Sequence, residues 1–183
     1  MRTTLAAALL VLGTLALASA PPARAEGFQT GTWYAGPRIW IGNLNDAVAI
    51  GGQVERGVTK PGEYGPGVIA VGAGLDYYSW SYDYAAYGSY KYSVVPVQVF
   101  GNYHLVLPKS PRWDPYAGLG LVYSHVSASW EGNAFSSGFS AAASTTDIVG
   151  NVGARYFVND RFAVQAQVGF GYGTIGLGAT WAF

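Results

Sequence analysis

The last twelve residues, Tyr172-Gly173-Thr174-Ile175-Gly176-Leu177-Gly178-Ala179-Thr180-Trp181-Ala182-Phe183, decide how the rest of the chain is read. Ile175, Leu177, Ala179, Trp181 and Phe183 fall on one phase of a period of two. Thr174, Gly176, Gly178, Thr180 and Ala182 fall on the other. Such alternation describes a strand with one oily face and one small or hydroxylated face.

Working outward from it, seven further segments alternate in the same way: 32–43, 46–57, 67–77, 92–105, 115–127, 146–157 and 161–172. The charged and amide residues Arg38, Gln53, Glu55, Asp76, Gln98, Asn102, Asp147, Asn151, Arg155, Gln165 and Gln167 share the phase opposite the apolar one. A soluble sandwich also segregates its faces, so phase alone does not separate it from a membrane barrel. Composition does. Charged residues make up 11% of the chain, with 14 Tyr, 6 Trp and 26 Gly. An ordinary soluble protein carries roughly 25% charged residues to cover its surface. A wall facing lipid needs none, since a charge at the bilayer midplane of a barrel costs about 2–4 kcal/mol. The predicted fold is therefore an all-β, antiparallel up-and-down transmembrane barrel of eight strands, with the polar phase inside. Arg38, Glu55, Asp76, Asp147 and Arg155 then form a lumen polar network, because buried charges need partners. His104 falls on the same inward phase, as a plug residue. The interior of eight strands is only wide enough for side chains.

The start of the chain fits export. Arg2 precedes an apolar run from Leu5 to Leu17, and two small-x-small sites follow, ending at Ala20 and Ala25. Pro21 disfavours the first, so residues 1–25 read as a signal peptide and 26–183 as the barrel domain. The apolar run is too short to span a ~30 Å hydrocarbon core. No cysteine is present, so no disulfide forms. Ten basic and ten acidic residues cancel, which gives no electrostatic case for nucleic acid.

The connections are of two kinds. Short turns rich in proline or Asn-Asp (59–66, 108–112 and Asn159-Asp160) belong to the end that holds the termini. Two long segments, 79–91 and 128–145, read as outer loops. The first is dense in aromatics: Trp80, Tyr82, Tyr84, Tyr87 and Tyr90 alternate with small or polar residues. Tyr with Ser and Gly is the composition of binding loops, because Tyr supplies amphipathic contact area at low entropy cost. The expectation is a surface-contact loop.

Thr32-Trp33-Tyr34-Ala35-Gly36 is similar to the first strand of small bacterial outer-membrane barrels of the OmpA/OmpX type. So is 95–103, where Pro96 enters the fourth strand. Pro115-Tyr116-Ala117-Gly118-Leu119-Gly120 resembles their fifth strand, and Thr180-Trp181-Ala182-Phe183 their last. The resemblance spans nearly the whole chain after the leader and concerns architecture. It implies the bacterial outer membrane, contact with its lipid, and recognition of Trp181 and Phe183 by the barrel-assembly machinery. Unlike full-length OmpA proteins, the chain stops at the barrel, so no periplasmic peptidoglycan-binding domain is expected. The expected role is structural or surface contact with an envelope or extracellular partner, without enzymatic activity. A narrow channel is a rival.

A second rival is a lipid-modifying hydrolase. His125-Val126-Ser127, with Glu131 after it, resembles the His-x-Ser motif of outer-membrane lipid A deacylases, in which a base polarises a serine for acyl transfer. That motif continues with Asn where this chain has Ala128, and lies nearer the chain's end. Asp83 and Glu131 are candidate oxygen ligands for a hard divalent cation. Two distant histidines and no cysteine make zinc improbable. The Gly pairs sit inside strands with no helix after them, so they are not nucleotide cradles, and no cofactor is expected.

Overall fold

In the computed structural model, residues 27–84, 88–132 and 140–183 are described, with backbone only at 131 and 132. Residues 1–25, read above as a signal peptide, and Tyr87 lie outside these residues. Eight strands follow one another: β1 (Trp33–Ile41), β2 (Val48–Gly57), β3 (Gly67–Asp83), β4 (Gly88–Leu105), β5 (Trp113–Gly132), β6 (Ser140–Phe157), β7 (Phe162–Phe170) and β8 (Ile175–Ala182). Each pairs antiparallel with the next, and β8 pairs with β1. At the seam, Phe183 N–H donates to the Trp33 carbonyl at 3.0 Å, and Trp33 N–H to the Phe183 carbonyl at 3.3 Å. Closure leaves the barrel wall no free edge, which hydrocarbon would not tolerate.

The faces are inside out relative to a soluble protein. Ile50, Val71, Leu75, Leu119, Ile148, Val152 and Val168 are exposed on the outer wall, while Arg38, Glu55, Asp76 and Arg155 are buried. One charge departs from the expected segregation. Arg56 sits on the outward phase, opposite Trp33, with its guanidinium 5.3 Å from the Trp33 ring. It stands at the rim where the termini emerge, so it meets the interface rather than the hydrocarbon.

The lumen is filled because small and large residues face each other across strands. Phe100 lies between Gly72 and Gly120 on its two neighbours. Arg38 occupies the space at Gly74, where a Cβ would collide with its guanidinium. Apolar clusters then seal both ends. At the terminal end, Phe28 folds in with Tyr34, Val68, Ala70, Phe157 and Ala163. At the far end, Trp40, Leu44, Ala49, Val122, Val149 and Tyr172 form the second seal. Leu44 reaches it because Asn43, Asn45 and Asp46 take positive φ and turn the β1–β2 loop inward. Asn and Asp tolerate that conformation better than other non-glycine residues.

Four strands are far longer than expected. β3 to β6 run 17, 18, 20 and 18 residues, against 8 to 10 for the others. Segments 79–91 and 128–145 are therefore mostly strand, a correction of their reading as loops. At about 3.4 Å per residue, the extra length extends the wall by roughly 25 Å along the strands.

Candidate functional site

Two features bear chemistry: the polar lumen and the sheet that projects beyond the barrel. The lumen holds two charge clusters between its apolar seals. In one, Arg38 grips both Asp76 oxygens, Nε to Oδ1 at 2.9 Å and Nη2 to Oδ2 at 2.6 Å. That is the bidentate geometry in which Arg–carboxylate pairs are strongest. Gln53 bridges from Arg38 Nη1 to Gln165. In the other, Glu55 accepts from Arg155 Nη2 at 2.8 Å and Asn102 Nδ2 at 2.7 Å, and contacts His104 Nε2 at 3.0 Å. His104 Nδ1 lies 2.9 Å from both oxygens of Asp114. A ring whose two nitrogens both meet acceptor-only carboxylates donates from both. Three cations, Arg38, Arg155 and His104, then balance Glu55, Asp76 and Asp114.

Aromatic faces complete the second cluster. Phe28 stacks on His104, ring centroids 3.7 Å apart and planes 5° apart. The Arg155 guanidinium lies 5.3 to 5.7 Å from the rings of Phe28, Tyr34 and Tyr116. Beside the Arg38 cluster lies a cavity of about 30 Å³ lined by Arg38, Gln53, Gln98, Asn102, Asn151 and Gln167 among others. That volume suits roughly two water molecules, far short of a continuous path.

Asp147 does not join this network. It sits on the inward phase opposite Val122, but above the Val149 seal and exposed to water. Asp114 takes the expected fifth place. It was missed because it directly precedes Pro115, where the fifth strand was expected to begin; the strand in fact starts at Trp113.

The projecting sheet consists of the upper parts of β3 to β6. β2 leaves β3 after Tyr77, and β7 leaves β6 above Gly150. The β3–β4 ladder is interrupted between Leu75–Val97 and Tyr78–Val94, opposite Pro96, which has no N–H to donate. Above the break, Tyr78, Trp80 and Tyr82 on β3, Tyr90 and Tyr92 on β4 and Trp130 on β5 share one face. Trp80 pairs with Tyr92, and Tyr82 with Tyr90, which pairs in turn with Trp130. This face continues the lumen wall, since Tyr78 packs on the Trp40–Leu44 seal. Trp80 and Tyr92 overlap at 5.1 Å with planes 7° apart, and Tyr78 and Trp80 at 5.8 Å and 17°. Tyr82 and Tyr84 are 51% and 54% exposed. The sequence signal was present: Tyr78-Ser79-Trp80-Ser81-Tyr82 alternates like a strand.

His125 and Ser127 lie on the opposite, outward face of the same sheet, both exposed. Ser127 Oγ is 3.4 Å from His125 Nε2, and His125 Nδ1 is 3.4 Å from Ser144 Oγ, which also accepts from Tyr123 at 2.8 Å. A serine hydroxyl thus stands where an orienting carboxylate would belong in a triad. The side chain of Glu131 lies outside the described residues. Asp83 and Glu131 both flank Ser89 in the register, one strand to either side, about 10 Å apart by strand spacing. Among the described residues no group of three His, Cys, Asp or Glu side chains is arranged to hold a metal ion. Trp181 points outward against Phe162, ring centroids 4.9 Å apart, and Phe183 is 74% exposed.

No protein-family model matches the chain, and no curated protein matches it. Solved structures do. The N-terminal β-barrel domain of Pseudomonas aeruginosa OprF superposes with a TM-score of 0.53 at 18% identity, covering 84% of this chain and 98% of that one. A de novo designed transmembrane β-barrel matches at 0.55 and 15% identity, over 86% and 99%. Ail, the attachment invasion locus protein of Yersinia pestis, matches at 0.53 and 14%, over 85% and 100%. At these identities the likeness concerns the backbone alone. By strand number, pairing and closure, the chain has the fold of the small eight-stranded transmembrane β-barrels.

Proposed function

We propose that this protein is an integral barrel of the bacterial outer membrane that acts by contact, presenting the β3–β6 sheet outside the cell. The observation that carries the reading is the sheet itself. Four strands run well past the closed wall at the end opposite the termini, and their aromatics are partly or fully exposed above it. A barrel that served only as an anchor needs no such extension. The apolar outer wall supports a membrane location, since an exposed apolar band of this kind is stable only against lipid. Trp181 and Phe183, exposed beside the closing seam, are the residues we assign to recognition by the assembly machinery. Deleting Phe183 is expected to lower the amount of protein in the outer membrane; wild-type amounts would oppose that assignment.

A contact role without catalysis is favoured over a lipid hydrolase, because His125 Nδ1 faces Ser144. A conducting role is disfavoured by the two seals. The contact reading is tested by replacing residues 82–90 with Asn-Gly. Ser81 and Lys91 are paired partners, so a two-residue turn closes the shortened hairpin. Cells carrying the replacement are expected to lose adhesion to host-cell and abiotic surfaces while retaining barrel levels. Unchanged adhesion would defeat the reading.

A further inference from the structure

The lumen-side face of the projecting sheet is a composite surface that the architecture of the barrel does not require. Its β3–β4 half is aromatic: Tyr78, Trp80, Tyr82, Tyr90 and Tyr92, joined by Trp130 from β5. Its β5–β6 half is small or hydroxylated apart from Val126, with Ser124 opposite Thr145, Val126 opposite Ala143 and Ala128 opposite Ala141. Near-parallel rings with centroids 5.1 and 5.8 Å apart are offset rather than eclipsed, so each covers only part of its neighbour. Trp80, Tyr90, Tyr92 and Trp130 are accordingly only partly buried.

Charge narrows what fits. No lysine or arginine lies on this face among the described residues. Lys91 points to the other side, between Tyr90 and Tyr92, and Asp147 stands at the base. Sulfated, phosphorylated or nucleic-acid ligands would find no cation and one anion. A peptide is also poorly served. On the face itself β4 and β5 are paired on both sides, and the open edges of β3 and β6 lie beside the face rather than on it, so a peptide lying across the face would leave its own N–H and C=O groups without main-chain partners. A neutral saccharide has no peptide backbone to satisfy. Its C–H faces suit aromatic rings, and its hydroxyls suit phenol and Ser/Thr hydroxyls, which both donate and accept.

We infer that the Trp80–Tyr92–Trp130 face binds uncharged pyranose chains. The inference rests on the contact reading and names its ligand chemistry. Its test is titration of the purified full chain in detergent with maltohexaose, cellohexaose and chitohexaose, read by tryptophan fluorescence. Dextran sulfate and a polyproline peptide serve as the competing chemistries. At least one hexaose is expected to give saturable quenching. Trp80→Ala is expected to weaken it about tenfold, the loss of roughly one aromatic contact. Tyr82→Ala, at a more exposed ring, should weaken it in a protein whose heat-modifiable gel mobility is unchanged. Absence of binding by all three hexaoses overturns the inference. So does binding that neither variant alters, or binding of dextran sulfate or polyproline alone. If the hexaoses fail while the 82–90 replacement still abolishes adhesion, the saccharide falls and the contact role stands. If Trp80-dependent hexaose binding persists while the replacement leaves adhesion intact, the contact role falls and the saccharide face stands.

Discussion

At the scale of single residues, Glu55 holds the most. It is fully buried and touches Arg155, His104 and Asn102 at once. Removing it leaves Arg155 and His104 with the Asp114 carboxylate alone. Breaking a buried pair by deleting one partner costs about 3–5 kcal/mol. Glu55→Ala is therefore expected to lower unfolding stability in lipid vesicles by about that amount, measured by urea titration of tryptophan fluorescence. Asp147→Ala, in water above the seal, should leave the midpoint where it is. Equal effects would mean that the charge cluster does not stabilise the barrel. The contrast also marks what a period of two can convey. It places Arg38, Glu55, Asp76, Asp147 and Arg155 on one face, and the structure places them there. It carries no depth, so it could not separate Asp147 from the rest. Asp114 was hidden for a related reason, because a strand boundary set at Pro115 leaves it outside the strand.

At the scale of elements, the long strands were legible in pattern and obscured by composition. Tyr, Ser and Gly are shared by binding loops and by strands held above a membrane. Segment 78–84 alternates as regularly as the membrane-spanning part of β3, yet without apolar aliphatics it resembles a loop. Only pairing across β4 distinguishes the two, and pairing partners are not local in sequence. The same extension explains His125 and Ser127. They occupy one face of β5 by the strand period, and cross-strand geometry brings Ser144 beside them. Proximity at this spacing follows from the sheet and implies no chemistry. His125→Ala and Ser127→Ala are expected to leave the acylation pattern of the host's lipid A unchanged by mass spectrometry. Loss of an acyl-chain cleavage product in both variants would restore the hydrolase.

At the scale of the whole molecule, one sequence rule built a container and then closed it. Alternation makes the wall, inward glycines admit large side chains, and balanced charges fill the centre. Phe28 and the Trp40–Leu44–Tyr172 group shut the ends. Both apolar clusters stand across the path that a hydrated ion would take. Planar-bilayer recordings of the purified protein are expected to show no conductance above background, and reproducible single-channel steps would contradict the sealed lumen. The backbone likeness to a designed barrel fits this economy, since the architecture follows from patterning whatever the surface does. What patterning does not determine is the projecting sheet, to which the proposed contact role is assigned.

The claim on which all of this rests is that the chain closes into a stable barrel in the outer membrane. Gel mobility of outer-membrane fractions, with and without boiling, tests it most directly. A closed barrel resists detergent until heated, so the unboiled protein is expected to migrate as a compact band that shifts on boiling. Identical migration of boiled and unboiled samples would contradict the account.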